Sequence, residues 1–284
     1  MITLSDAHQK FLDFLKSHKR ASATIVAYGK DIAQLVDFLA AKAVRETQDV
    51  KKQDLDDFLN KLTREGYTPK SVSRKINSLK TFFRFLKDEG YLVENPSGSI
   101  THPKFTTKPP RILSKLEYRA LRDACRGDIR MSAVVEVLLQ TGIRIGELAN
   151  LKTSDIKDTT LYVTPMENRS GREIPLNKAA KQALDKYLNV RPSAKEPSLF
   201  ITKTGRCLLI RNIRTAIDRY FRLADIKSAK VNDLRHTFVA HHLLAGTPVT
   251  VVAKLAGHKR LSTTEKYLDL IKDQMEEKVK LEEL

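Results

Sequence analysis

Lys230–Tyr267 reads KVNDLRHTFVAHHLLAGTPVTVVAKLAGHKRLSTTEKY, and its pattern organises the rest of the chain. Arg235 and His236 stand at the head of an apolar-periodic segment that predicts a helix over about 232–246. A second helix, over about 248–256, closes at the Gly257-His258 pair, and Tyr267 follows a Ser-Thr-Thr turn. Arginine can neutralise a phosphate, histidine can donate a proton to one, and tyrosine can attack one. The stretch points to phosphate chemistry on a helical scaffold, and it lacks at least one further cation.

Composition narrows the partner. The 284 residues suit one large domain or two ordinary ones, and 41% hydrophobic residues suffice for a sizeable core. No window is apolar for long enough to span a bilayer, and the N-terminus MITLSDAHQKFLDFL lacks a basic region followed by an apolar run. Cys125 and Cys207 are isolated, which argues against a disulfide framework and a cysteine metal site. The expectation is a cytoplasmic protein. The net charge is +17 and the pI about 9.8, with basic residues recurring along the whole chain. That distribution suits a folded protein wrapped on a polyanion, with strongly salt-dependent binding.

Upstream the pattern is helical. Apolar positions predict helices over 5–18 and 22–40, the second with Ser22 as N-cap, then over about 50–64 and 69–88. The fourth carries Val72, Ile76, Leu79, Phe83 and Leu86 on one side; Lys70, Arg74, Asn77, Lys80, Arg84 and Lys87 lie opposite, nearly without acidic interruption. Most such stripes are ordinary solvated faces. Here Ser71, Ser73, Asn77 and Ser78 add short polar groups suited to phosphate and base-edge contacts, so the face is expected to contact DNA or RNA. Residues 94–110, rich in Pro, Ser, Thr and Gly, read as a linker between domains at 1–93 and 111–284.

The second domain opens with a helix capped by Ser114 and Glu117, followed by a helix over about 129–140 that is apolar nearly all round. TGIRIGELANL (141–151) then breaks at Thr141-Gly142 and restarts, with Arg144 and Glu147 at the i, i+3 spacing of an ion pair. Residues 160–164 and 172–176 predict a β-hairpin, residues 178–188 a helix, 199–201 a short strand or turn, and about 210–224 a helix bearing Arg211, Arg214, Arg219 and Arg222. The tail after Tyr267 is an amphipathic helix with no visible partner in its own domain, open to local packing or to docking on another subunit.

Arg144, Arg235, His258 and Tyr267 can be set around one phosphodiester. Two arginines would clamp the non-bridging oxygens, His258 would add a hydrogen bond to the pentavalent state, and Tyr267 would attack phosphorus. No His/Asp/Glu cluster has metal-ligand spacing and no Gly-rich phosphate loop occurs, so neither metal nor nucleotide cofactor is implied.

In these residues the chain resembles the tyrosine recombinases, among them the short Xer-like and phage-type integrases. SATIVAYGKDIAQLVDFL and KSVSRKINSLKTFFRFL are similar to the family's helical core-binding domain. TGIRIGEL resembles the box of the first catalytic arginine, here Arg144, with Glu147 its acidic companion. NDLRHTF resembles the second box, with Arg235; LAGHKRLSTTEKY resembles the terminal box, with His258 and the nucleophile Tyr267. The resemblance implies a mainly α fold with a small β-hairpin, a core-binding domain followed by a catalytic domain, and a tail that docks on a neighbouring protomer. It further implies a 3′-phosphotyrosyl intermediate without metal or ATP, and tetramers on paired sites of double-stranded DNA, with room for an accessory recombinase or a directionality protein.

Two positions depart from the family pattern. Asn232 stands where the second box usually begins with histidine, and Glu167 falls where the hairpin usually carries the lysine that protonates the leaving 5′ oxygen. The hairpin holds no lysine, which leaves Arg169 or Arg172 as its cations. Two rival readings follow: a DNA-binding accessory or regulatory protein on the same fold with weakened catalysis, and a type IB topoisomerase, which shares the chemistry.

Overall fold

The computed structural model describes residues 2–106, 108–166 and 170–276. The chain divides into two compact units, Met1–Thr107 and Lys108–Leu284. The first is built from α1 (Leu4–Ser17), α2 (Ser22–Ala40), α3 (Lys52–Arg64) and α4 (Pro69–Asp88). Thr3 caps α1 by accepting from the Asp6 amide, and Thr68 caps α4 ahead of Pro69, whose missing N–H costs nothing at a helix start. Ser22 is not the cap of α2; it is the first helical residue, and Ala21 holds the cap position. Phe11, Phe58, Phe82 and Phe83 are buried at the centre, each worth about 1.5–3 kcal/mol of transfer free energy. Ile100, within the proline-rich stretch, is also buried in this core.

The second unit comprises α5 (Lys115–Cys125), α6 (Ile129–Thr141), α7 (Ile145–Ala149), a hairpin of β1 (Thr160–Val163) and β2 (Arg172–Pro175), then α8 (Lys178–Val190), α9 (Ile210–Leu223), α10 (Val231–Leu244), α11 (Val249–Ala256), α12 (Ser262–Glu265) and α13 (Leu268–Glu276). The hairpin is antiparallel, with Leu161 opposite Ile174 and Val163 opposite Arg172. The mainly helical fold with one small sheet is the class expected. α6 is buried on nearly every side because α5, α8, α9 and α10 surround it. The 199–201 segment makes a single antiparallel bridge, Ile201 to Cys207, instead of a strand. The Ser-Thr-Thr turn is a one-turn helix, α12.

Of the two outcomes open to the tail, its first turns take local packing. α13 has a partner in its own unit: it packs on α10, and Ile271 is buried with Phe238, Val239 and Leu243. Residues 277–284 lie outside the described residues, so this local packing concerns only the first turns of the tail.

Candidate active site

Two helix ends build the floor of the site. α6 ends at Gly142, whose φ of 61° is left-handed and whose N–H donates to the Leu138 carbonyl. A Cβ on Gly142 would stand 2.2 Å from the Phe238 ring, so glycine is required by both conformation and space. The turn delivers Arg144 to the start of α7, and the Gly142 carbonyl accepts from Arg235 Nη1 at 2.5 Å. α11 ends in a Schellman arrangement: His258 N donates to Ala253 O at 2.9 Å and Gly257 N to Lys254 O at 3.1 Å, with Gly257 at φ 67°. A Cβ on Gly257 would meet the Arg172 guanidinium at 2.8 Å.

The carbonyls left over at the end of α11 hold two arginines. Arg144 donates to Ala256 O at 3.4 Å and Gly257 O at 3.2 Å, while Arg172 Nε donates to Leu255 O at 2.7 Å. Cations suit a helix C-terminus, where unpaired carbonyls concentrate negative potential. Glu147 ties the two together. Its side chain is 2% exposed; it accepts from the Arg144 backbone N–H at 2.9 Å, from Arg144 Nη1 at 3.2 Å, and from Arg172 at 3.2 and 2.9 Å. Burial pushes the Glu147 carboxyl up, but the Arg172 hydrogen bonds, the Arg144 amide and the two arginine charges outweigh it and hold the group down at about 2. Arg172 is therefore committed to Glu147 and Leu255, and is not a hairpin cation free to serve a leaving group. Glu167 and Arg169 lie outside the described residues.

Above this floor stand Arg235, His258 and Tyr267. Arg235 is 5% exposed, and its Nη2 has no hydrogen-bond partner among the described residues. Burial, then the nearby Arg144 charge, presses its pKa to about 9, so it stays cationic at neutral pH. Burial, followed by the charges of Arg235, Arg144 and Arg172, lowers His258 to about 4, and its Nδ1 is paired with the Thr264 hydroxyl at 2.7 Å. Tyr267 is 4% exposed; burial raises its phenol above the ordinary value despite the opposing pull of Arg235 and Arg144. The His258 and Tyr267 rings lie 6.4 Å apart, nearly parallel.

The structure thus brings Arg144, Glu147, Arg235, His258, Tyr267 and Asn232 into one neighbourhood. Sequence reasoning missed Arg172 as the second clamp on Glu147, Thr264 as the partner of His258, and the contact of His236 with Tyr267. The only sequence signal for the last was the i, i+4 spacing of Asn232 and His236 on α10.

The expected DNA face on α4 is mixed. Lys70, Asn77 and Arg84 are exposed and Lys80 half-buried. Arg74 turns back onto Asp31, with Nη2 2.9 Å from one carboxylate oxygen and Nη1 on the other. Ser78, read as a DNA-contact group, is instead buried and donates to Asp31 at 2.7 Å. On α9, Arg211 and Arg214 are both exposed.

A buried guanidinium with one nitrogen unpartnered, beside a second arginine, a neutral histidine and a tyrosine, is an arrangement able to bind an anion. A model of the phage integrase family matches residues 111–274, and one of the phage integrase N-terminal SAM-like domain matches residues 9–90. The chain belongs to the phage integrase family. Within that family, it is similar to tyrosine recombinase XerC of Oceanobacillus iheyensis, 33% identical across 94% of this chain and 92% of the relative. XerC of Anoxybacillus flavithermus is 31% identical across 93% of each. These relatives and the family match make the integrase-family chain a site-specific recombinase of the tyrosine type. A crystal structure of a lambda integrase dimer bound to a COC′ core site shares the fold with a TM-score of 0.78 at 20% identity, over 92% of this chain and 97% of that one. A lambda integrase tetramer bound to a Holliday junction gives 0.76 at 22% identity, over 92% and 78%. Among the described residues, no group of three or more His, Cys, Asp or Glu could hold a metal, and no helix is long and apolar enough to cross a membrane.

Proposed function

We propose that this recombinase cuts and rejoins double-stranded DNA through a 3′-phosphotyrosyl intermediate on Tyr267, with no metal or ATP in the reaction. The observation that carries the assignment is Arg235: a buried cation with an unpartnered Nη2, beside Arg144, His258 and Tyr267. A buried donor without a partner is costly in the free protein, and a phosphate oxygen satisfies both its charge and its hydrogen-bonding capacity. Arg144 and Arg235 bind the non-bridging oxygens, and His258, neutral at physiological pH, hydrogen-bonds the pentavalent state. Tyr267 Oη forms a bond to phosphorus as the P–O5′ bond breaks, and attack by a 5′ hydroxyl reverses the step. Bond energy is conserved in the phosphotyrosine, so no external energy source enters.

Glu147 acts through Arg144 and Arg172 by fixing their orientation. Arg172 is tied down and does not serve the leaving 5′ oxygen, which leaves Arg169 as the hairpin cation for that proton. Residues 1–93 bind DNA through Lys70, Asn77, Lys80 and Arg84 on α4, and residues 111–284 through Arg211 and Arg214 on α9. The lambda integrase complexes support the reading that this chain also works as a tetramer on paired sites, with its terminal residues docking on a neighbour and an accessory recombinase or directionality protein as a further partner. The setting is the cytoplasm, on the nucleoid.

The test uses duplexes enriched for binding from a random pool and nicked at successive positions across the bound footprint, so that cleavage releases a short strand and traps the adduct. Wild-type protein is expected to form a covalent complex that is lost in Tyr267→Phe. Tight binding with no adduct at any nick position would overturn the catalytic reading in favour of a DNA-binding regulator.

A further inference from the structure

Tyr267 cannot act while it holds its proton. Its ordinary pKa is about 10, so less than about one part in a hundred is phenolate at neutral pH, and burial raises the value further. The hydroxyl already has a partner. His236 Nδ1 lies within hydrogen-bond distance of Tyr267 Oη, with ring centroids 5.7 Å apart, and Asn232 Nδ2 lies 2.7 Å from His236 Nε2 on the far side of the ring. Asn232 and His236 are one helical turn apart on α10, so both reach the same side of the site.

We propose that His236 is a catalytic residue that accepts the Tyr267 proton during strand cleavage and returns it during rejoining, with Asn232 as its positioning residue. The inference rests on Tyr267 being the nucleophile. In cleavage the Tyr267 O–H bond breaks, Oη bonds to phosphorus, and the proton passes to Nδ1 of the neutral imidazole. The imidazolium then donates from both nitrogens, and Asn232 receives the Nε2–H on its amide oxygen. A neutral ring that offers Nδ1 to the phenol already carries its hydrogen on Nε2, so the Asn232 amide, after a half-turn about its terminal bond, presents its oxygen to Nε2–H both before and after the transfer. In rejoining the proton returns to Oη as the P–Oη bond breaks.

The surroundings favour a neutral ring at rest. His236 is faced by Asn232, Asp233 and Arg235 of α10, by Tyr267 between α12 and α13, and by His258 after α11. Burial lowers its pKa below the ordinary histidine value, with Asp233 pulling up and Arg235 pushing down. A base must be unprotonated to work, so cleavage is lost as pH falls through that lowered value and rises to a plateau above it. The pairing also gives Asn232 a role: it faces the histidine that touches the nucleophile.

Single-turnover trapping on the nicked duplexes, from about pH 5 to about pH 9, tests the relay. His236→Asn keeps a polar side chain near Oη but has no basic nitrogen. It is expected to cleave about 10²-fold more slowly at neutral pH and to lose the acid limb, its rate still climbing at the alkaline end. Asn232→Ala keeps the base and is expected to shift the limb with a smaller loss, about 10-fold. Gel-shift affinity equal to that of the wild type shows that both variants are folded. If His236→Asn cleaves at the wild-type rate with the wild-type pH limb, the proposal is wrong even though Tyr267 remains the nucleophile. An unshifted limb in Asn232→Ala removes Asn232 from the relay. If the wild type forms no adduct at all, the assignment of Tyr267 fails first and the relay falls with it.

Discussion

Two buried carboxylates in this chain are each gripped by two cations, and they do different things. In the first unit Asp31 accepts from Arg74, from Lys75 at 2.9 Å and from Ser78 at 2.7 Å, while Lys75 also donates to Gln34 at 2.7 Å. Acceptors and donors match, and the cluster joins α2 to α4. In the second unit Glu147 grips Arg144 and Arg172 in the same manner, but Arg235 stands nearby with Nη2 unpaired. The first cluster is closed. Both carry more cations than carboxylates, but the second sets three arginines around one carboxylate and keeps a donor without a partner, the electrostatic condition for receiving an anion.

The sharpest way to break this comparison is to remove each carboxylate charge. Asp31→Asn and Glu147→Gln should each cost about 3–5 kcal/mol in urea unfolding of the full chain, because each strands a buried cation, Lys75 in the first and Arg172 in the second. Only Glu147→Gln should also slow cleavage by bound protein; equal slowing in both would erase the distinction. Arg235→Ala should do the reverse, lowering the adduct-forming rate about 10²–10³-fold with a smaller cost in stability, since losing the Nη1 bond to the Gly142 carbonyl is offset by removing a buried charge repelled by Arg144. A large loss of stability in that variant would mean Arg235 is a structural member of the cluster.

Acid should act on the two clusters in the same direction. Glu147 has a folded pKa of about 2 against 4.5 for the free side chain, so its contribution is full above about pH 4.5 and fades as pH falls toward 2. The difference is worth about 3 kcal/mol, and the acid unfolding of Glu147→Gln should be less pH-dependent by that amount. Asp31 is also lowered: burial pushes it up, but the Arg74, Ser78 and Lys75 hydrogen bonds outweigh it, so its contribution too disappears as pH falls below the ordinary aspartate value.

The smallest expected effect separates a phosphate contact from a joint. Arg214→Ala should reduce the salt slope of DNA binding by about one unit, because an exposed cation on a phosphate releases one counterion. Arg74→Ala should leave that slope nearly unchanged and destabilise the protein, since Arg74 serves Asp31.

Arg74 shows where reading from sequence stops. The apolar period of α4 and the turn residues around it were legible, because both are local. That Asp31, 43 residues earlier, would draw Arg74 inward was not, since helix periodicity says which side a residue is on and nothing of what faces it. The site divides in the same way. Gly142 and Gly257 could be read as helix stops, and Arg144, Arg235, His258 and Tyr267 by their local contexts. The His236–Tyr267 contact spans 31 residues and three helices, and the Arg172–Glu147 pair joins the hairpin to α7; both exist only once the elements pack.

The central claim is that Tyr267 forms the covalent bond to DNA. The most direct measurement is to trap the adduct on a nicked duplex, digest both DNA and protein, and locate the nucleotide-bearing residue by tandem mass spectrometry. The expected result is a single modified peptide with the nucleotide on Tyr267 through a 3′-phosphate. A nucleotide on any other residue, or a 5′-phosphate linkage, would contradict it.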